Sequence, residues 1–414
     1  MSDAKITAKS HRSVWLSFVL FVTTLLLTTF FHYWRTRSSA LWIEVGFIIC
    51  ASSAISVLIS QACDPFADAA QWVGCRFRLP PSVRGATLDA IASSMPELFT
   101  GLFFVIVALS GDKDQSQRLM DSAEGYGSTI ATCAGSSIYN LVLIPAVCAI
   151  AVSFTRPRRP YIDVAPEIVR RDGMWVIFSQ VGLLIFLFQP KLDWWMGLVA
   201  LLTYALYVGH LYIATRRFRA DLDQGTIANG EPDSTASFLF GSCSVQLNGR
   251  TSAIILIVST AIAAIACYLL VDLTNQSAAK LGVSPFFVAV ILTAAVSSIP
   301  DTFMSLGSAR RGDDAGAMSN VFGSNIFDIC IGMSIPLMVC CYLNDWEPIV
   351  LVGPDDQTLK GVVGLRVFLF VLTSVAMTVM WFRGRLTRRS GWLFAALYAS
   401  FVVYAVLGAL GFAV

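Results

Sequence analysis

Charge is what this chain has little of. Only 14% of its 414 residues are Asp, Glu, Lys or Arg, while 56% are hydrophobic. That balance excludes a disordered chain, and it is too apolar for an ordinary soluble domain. Ligands for soft metals are scattered. The ten cysteines contain no C-x-x-C pair, and His11, His32 and His210 lie far from one another, so neither a disulfide frame nor a zinc site is expected. There is no G-x-x-x-x-G-K-[ST] loop, so ATP does not drive the protein by that route. Neither nucleotide nor nucleic acid is expected as a partner, and no cofactor is.

Apolar runs take the place of charge. A helix needs roughly 20 apolar residues to cross a bilayer, and eleven windows qualify, at about 14–34, 41–61, 84–110, 126–154, 174–188, 192–214, 252–272, 283–309, 316–341, 362–383 and 392–413. The runs are continuous and do not alternate with period two, so the spans are helices and the lipid bilayer is the solvent. The window 14–34 is expected to be an uncleaved extra helix or signal anchor, although "SSA" at 38–40 leaves cleavage open.

Orientation follows from the Lys and Arg residues. If the N-terminus is cytoplasmic, 21 of the 29 fall in cytoplasmic segments, among them Arg76, Arg156, Arg171, Arg217, Arg311 and Arg389, and seven fall outside. This is a positive-inside pattern. The outer loops are acidic, with Asp112, Asp114, Asp121 and Glu124 in one and Asp345, Glu347, Asp355 and Asp356 in another.

The expected organisation is an N-terminal segment 1–40, a first five-helix repeat 41–214, a cytoplasmic linker 215–251 and a second five-helix repeat 252–414. An odd number of crossings separates corresponding helices, so the repeats must be inverted in the bilayer. The fold class expected is an all-α membrane protein, a ten-helix core of two inverted five-helix repeats plus one extra N-terminal helix. Inverted repeats with broken helices near the midplane are the architecture of secondary transporters.

The repeats announce themselves by an echo. "ASSMPELFT" at 92–100 is followed by "GSSIYN" at 135–140, and "VSSIPDTFM" at 296–304 is followed by "GSNIFD" at 323–328. The shared pattern is S-S-x-P-[ED], then G-S-x-x-x-[ND]. It supplies Ser93, Ser94, Glu97, Ser136 and Asn140 in the first repeat, and Ser297, Ser298, Asp301, Ser324 and Asp328 in the second. Ser93 to Glu97, Ser136 to Asn140, Ser297 to Asp301 and Ser324 to Asp328 are all four apart, one turn along a common helix face. Pro96 and Pro300 each remove a backbone donor, freeing the carbonyls of Ala92 and Val296 as further ligands in a broken helix.

A lone serine or asparagine in a membrane helix is ordinarily a packing residue or an interhelical hydrogen bond. A carboxylate is different, because near the bilayer centre it costs at least about 2.5–3.5 kcal/mol on insertion scales. Carboxylates, amides, hydroxyls and carbonyls without sulfur or imidazole are the ligand set of hard cations: calcium first, with manganese or several sodium ions also accommodated. Glu44, near a helix end, and Asp89, two turns from Glu97, are weaker candidates.

These segments, "GATLDAIASSMPELFT" at 85–100 with "GSTIATCAGSSIYN" at 127–140, and "SSIPDTFMS" at 297–305 with "GSNIFD", resemble the two alpha repeats of the sodium/calcium exchanger superfamily of cation/calcium antiporters. The wording is most similar to the potassium-dependent branch, as is "CDPF" at 63–66. The resemblance implies alpha motifs at 85–140 and 283–335, and a transporter in place of an enzyme. It would exchange calcium for sodium by alternating access, with potassium co-transported in that branch. Carried over by position, it makes Glu97 and Asp301 the central calcium ligands. Ser93, Ser136, Asn140, Ser297, Ser324 and Asp328 would share sodium and calcium, with Ser94 and Ser298 alongside. Two features depart from the family pattern. Ala92 and Val296 stand where it has glycine, and 43 positions separate Glu97 from Asn140 against 27 between Asp301 and Asp328, because of the loop "GDKDQSQRLMDSAEG".

Three rivals remain open. A calcium/proton exchanger would use the same carboxylates and is the main alternative. An intramembrane aspartyl protease lacks its Tyr-Asp and Gly-x-Gly-Asp signatures here, and a channel would not need two inverted sites. The host membrane is expected to be the plasma membrane or an internal calcium-storing one.

Overall fold

The computed structural model describes residues 2–38, 40–111, 114–223, 235–238, 241–351 and 361–412. Among them, ten helices are long and apolar enough to cross a membrane. In chain order the helices are α1 (Phe18–Arg35), α2 (Leu41–Arg76), α3 (Ser82–Leu109), α4 (Gln117–Thr155), the shorter α5 (Met174–Leu187), α6 (Trp194–Ile213), α7 (Gly249–Leu281), α8 (Pro285–Arg311), α9 (Asp314–Leu343), α10 (Val362–Arg383) and α11 (Arg388–Ala409). The protein is an integral, multi-pass helical membrane protein.

Helix α5 is not one of the ten, yet its ends are tied to opposite faces. Before it, strand β1 (Tyr161–Asp163) pairs with β6 (Arg385–Thr387); after it, β2 (Lys191–Leu192) pairs with β5 (Ile349–Val350). Strands β5 and β6 flank α10, a full-length span, so α5 must bridge the same two faces. It does so by continuing N-terminally, without a break, through 166–173, where Arg170, Arg171 and Asp172 lower the hydropathy. The ion pair of Arg171 with Asp172 at 2.7 Å neutralises two of those charges.

Each face is stitched across the repeats. On the linker face, Arg156 pairs with Asp314 at 2.5 Å, and the same carboxylate accepts the Asp163 amide at 3.0 Å. On the opposite face, Gln115 donates to Glu347 across the repeats, and Arg35 of the N-terminal helix donates to Gln276 of the second repeat, both at 3.1 Å. Arg35 also pairs with Glu44 at 2.8 Å, which gives that carboxylate a structural partner. Helix α2 therefore starts on the opposite face and α7 on the linker face, as inversion requires. These two helices pack along each other more extensively than any other pair of elements.

Three expectations change. The expected loop 111–125 is mostly helix: from Gln115 it is helical and continuous with α4, capped by Asp114, whose side chain accepts the Gln117 amide at 2.8 Å. Asp112 and Lys113 lie outside the described residues, as do Asp355, Asp356 and Lys360. The linker carries a hairpin of β3 (Thr235–Phe238) and β4 (Cys243–Gln246), whose Ala236, Phe238 and Val245 pack on Ala69, Trp72 and Ile255. Its residues 224–234 and 239–240 lie outside the described set. Finally, α3 runs through Pro96 unbroken, whereas α8 is interrupted at Ser298, with φ −87° and ψ 3°.

Wide, π-helical turns recur at matching places in the duplication, in register for the first pair and one residue apart for the second. They occupy Gly85–Asp89 in α3 and Ala289–Thr293 in α8, then Tyr139–Leu143 in α4 and Asp328–Gly332 in α9. Such turns concentrate at functional sites, because they rotate the following residues relative to a regular helix. Here they flank both motifs. All ten cysteines are free thiols, as packing residues would be.

Candidate functional site

The ten singled-out residues, four pairs one turn apart plus Ser94 and Ser298, are all fully buried at 0% exposure. They come from α3, α4, α8 and α9, two helices of each repeat.

One half of the cluster gathers on Ser136. Its Oγ lies 2.7 Å from Ser298 Oγ, 2.8 Å from Asp328 Oδ2 and 3.1 Å from Glu97 Oε1, and it accepts from Asn140 Nδ2 at 3.4 Å. Ser298 Oγ lies 3.0 Å from the same Glu97 oxygen, and Asn140 Nδ2 also donates to Asp328 Oδ2 at 3.1 Å. The break in α8 sets Ser298 where it can reach across to the first repeat. The other half is sparser. Ser324 Oγ donates to Asp301 Oδ1 at 2.5 Å and lies 3.4 Å from Ser93 Oγ, which in turn donates to the Asp89 carbonyl at 2.9 Å. Ser297 turns its hydroxyl to the Ala294 carbonyl at 3.3 Å, and Ser94 Oγ is near Asp328 without a hydrogen bond of good geometry.

Two counts show what this arrangement is short of. Four close oxygen contacts join Ser136, Ser298, Glu97 and Asp328, but with both carboxylates ionised only the two hydroxyl protons are available, so at most two of the contacts contain a hydrogen. In addition, Glu97 Oε2, Asp301 Oδ2, Asp328 Oδ1 and Asn140 Oδ1 accept nothing although fully buried. Buried polar atoms are normally paired, so a concentration of acceptors without donors calls for positive charge. Among the described residues no group of three Asp, Glu, His or Cys side chains could hold a metal ion by itself. The oxygens gathered around the carboxylates are the serine hydroxyls and the Asn140 amide.

Several residues that support the site were not singled out from the sequence. Ser137 and Asn325, each following a motif serine, join the repeats: Ser137 Oγ donates to Asn325 Oδ1 at 2.8 Å, and Asn325 Nδ2 donates to the Ser137 carbonyl at 2.7 Å. Gln180 on α5 caps this pair with its amide, at 3.0 Å from Ser137 Oγ and 3.1 Å from Asn325 Oδ1. The doubled echo "GSS" and "GSN" held a signal for Ser137 and Asn325; nothing local marked Gln180. On α4, Glu124, Ser128 and Thr132 continue the four-residue spacing of Ser136 and Asn140, a ladder that was readable. Cavities lie on both sides of the cluster. One of about 370 Å³ on the opposite face is lined by Asp121, Glu124 and Ser128, and one of about 300 Å³ on the linker face by Asp89 and Asn320.

Two inverted helical repeats that bury an oxygen-lined, carboxylate-rich cluster at their junction define a membrane transporter of the inverted-repeat class. The family model described as sodium/calcium exchanger protein matches residues 44–213 and 251–407, and the chain belongs to that family. Among curated relatives, "Sodium/potassium/calcium exchanger 3" of Rattus norvegicus is 27% identical over 161 residues, which is 39% of this chain and 22% of that protein. "Sodium/potassium/calcium exchanger 2" of Gallus gallus is 32% identical over 140 residues, 34% of this chain and 21% of that one. The matched stretch thus spans about a fifth of the length of these relatives. Among solved structures, the sodium-calcium exchanger NCX_Mj soaked with 10 mM Na+ aligns with a TM-score of 0.53 and 19% identity, covering 93% of this chain and 99% of that one. Native YfkE aligns with a TM-score of 0.62 and 15% identity, covering 95% and 99%. At these identities the structures share the fold.

Proposed function

We propose that the protein is a secondary-active antiporter that exchanges calcium for sodium by alternating access, with potassium carried alongside calcium. Glu97 and Asp301 are the central calcium ligands in this reading, and Ser93, Ser94, Ser136, Asn140, Ser297, Ser298, Ser324 and Asp328 complete the sodium and calcium sphere. The observation that carries it is the set of four buried acceptor oxygens without donors at the junction of the repeats. Calcium takes six to eight oxygens in flexible geometry, which suits a cluster of mixed carboxylate, hydroxyl and amide oxygens. Three carboxylates near the midplane cannot cross the membrane field uncompensated, so loaded states switch and empty ones do not. That condition makes transport an exchange and not a leak. Calcium with potassium brings three positive charges against Glu97, Asp301 and Asp328. The names of the curated relatives support the same three ions, and the positive-inside pattern supports a cytoplasmic N-terminus and linker in the plasma membrane or a calcium-storing one.

A second reading, calcium/proton exchange, is favoured by one feature. The oxygen contacts around Ser136 are short of hydrogens, and protons would fill them as well as cations do. Calcium flux in sealed vesicles under imposed sodium, potassium and proton gradients separates the readings. Sodium-driven counter-flow is expected; flux that runs on a proton gradient in sodium-free medium selects the second reading, and conductance without counter-flow overturns both.

A further inference from the structure

The two approaches to the central cluster are chemically unequal. On the linker face, the cavity of about 300 Å³ between α2, α3, α8 and α9 is lined by Asp64, Asp68, Gln71, Asp89, Arg311 and Asn320, among others. Two of these stand one helical turn from the cluster: Asp89 precedes Ser93 by four residues on α3, and Asn320 precedes Ser324 by four on α9. Below the Ser324 to Asp301 bond a second rung repeats the pairing, with Asn320 Nδ2 donating to Ser305 Oγ at 2.9 Å. Asn320 is 3% exposed, and its Oδ1 accepts no hydrogen bond. Opposite it, Asp89 accepts from Gln71 Nε2 at 3.2 Å. Three carboxylates share the cavity with one guanidinium, and Arg311 directs an N–H to Ser308 Oγ at 3.3 Å. Asp68 also accepts the Ser237 amide of the linker hairpin at 3.0 Å.

The inverted counterparts carry different groups. Thr293 stands in the second motif where Asp89 stands in the first, and its hydroxyl lies 2.7 Å from that of Thr274. Thr132 stands where Asn320 does, and it donates to the Ser128 carbonyl at 3.0 Å. The acids of the opposite cavity, Asp121 and Glu124, sit at least three turns from Ser136 along α4. No carboxylate among the described residues flanks the cluster at one turn on that side.

We propose that Asp89 and Asn320, with the Gln71 carbonyl oxygen beside them, form a second cation subsite on the linker side, one turn from the central carboxylates. It takes a hard divalent cation, calcium first, through oxygen ligands and water, and passes it to Asp301 and Ser324. The proposal rests on the cation-transport reading for its role in loading, but the subsite itself can be tested without transport.

Equilibrium calcium binding to purified protein carrying Glu97→Gln, Asp301→Asn and Asp328→Asn reads the subsite alone. One residual site is expected, weakened about tenfold when Asp89→Asn is added, since calcium affinity follows ligand charge. Asn320→Asp, which adds a charge, should tighten it by a similar factor of about ten, a gain that misfolding cannot produce. Absence of residual binding in the correctly folded, monodisperse protein, or residual binding indifferent to both changes, overturns the proposal. In vesicles of known sidedness with the central site intact, Asp89→Asn should change the ratio of apparent calcium affinities on the two faces by about tenfold, to the disadvantage of the linker face. Equal change on both faces overturns it. A parent protein that moves no calcium would defeat the transport reading and leave the binding result to decide the subsite.

Discussion

Ser136 and Ser324 occupy the same place in two nearly identical motifs, yet the first touches four polar side chains and the second two. Two differences account for this. The residue four positions on is Asn140 in the first repeat and Asp328 in the second, so the second repeat sends a carboxylate across to Ser136 while the first sends no charge back. The backbone also diverges: α8 breaks at Ser298 and directs that hydroxyl to Glu97, whereas α3 continues past Pro96 and leaves the Ser94 hydroxyl near Asp328 without a well-formed bond. Duplication placed the oxygen-bearing side chains, and the small departures from it decided which of them meet.

The comparison is broken most completely by removing what the halves have in common. Glu97→Gln or Asp301→Asn should each reduce calcium flux at least about a hundredfold while the protein still inserts, because removing an intramembrane charge lowers the insertion cost and removes ion binding. Radiotracer uptake in vesicles, beside size-exclusion of the solubilised protein, reads both parts. Flux in Glu97→Gln within a factor of two of the parent would show that the two carboxylates are not equivalent.

Making the halves alike is the next largest change. Asp328→Asn gives the second repeat the residue of the first, leaving two carboxylates for one calcium to balance. Potassium stimulation of sodium-driven calcium flux should then disappear, measured against replacement of potassium by a large inert cation. Stimulation that survives in Asp328→Asn, or that the parent lacks, would put potassium elsewhere or nowhere.

Transplanting the linker-side chemistry to the opposite approach is a milder perturbation. Thr293→Asp combined with Thr132→Asn should raise the apparent calcium affinity on that face by about threefold, a small gain because the neighbouring Thr274 supplies a hydroxyl and not an amide. Affinity rising equally on both faces would show that the effect is not local.

The smallest effect concerns the clamp that holds both halves. Gln180→Leu leaves Ser137 and Asn325 bonded to each other but removes two hydrogen bonds to them, at a cost of about 1–2 kcal/mol. Thermal unfolding in detergent should show a lower midpoint with flux at the parent's temperature only modestly reduced. An unchanged midpoint would mean that the Ser137 and Asn325 pair holds the repeats without help.

Much of the site was legible because its pattern is periodic. Residues four apart share a helix face, so spacing alone could bring Ser93 and Glu97, and Ser324 and Asp328, to one cluster, although each pair is divided between its two halves. Their burial was legible too, since apolar runs on either side commit those faces to protein or lipid. Gln180 escaped notice because a lone glutamine in an apolar helix carries no pattern. The hairpin at 235–246 did as well, its strands being only four residues each. The helical start of α4 hid behind charged residues that read as a loop.

By itself the sequence determined the membrane class, the duplicated motifs, their inversion and the ten oxygen-bearing residues, since each is a property of local composition or of counting crossings. Tertiary structure alone decided which oxygens meet. Ser136 and Asp328 lie 192 residues apart in the chain, and no local rule brings them to 2.8 Å.

 The same holds for Ser298 with Glu97 and for Asn325 with Ser137, contacts between repeats that depend on how far α8 bends at one residue and how the wide turns rotate the helices around them. The reason is one of scale. Which oxygens share a proton or a cation is settled by displacements well under an ångström between distant segments, and only the packed helices hold positions that finely.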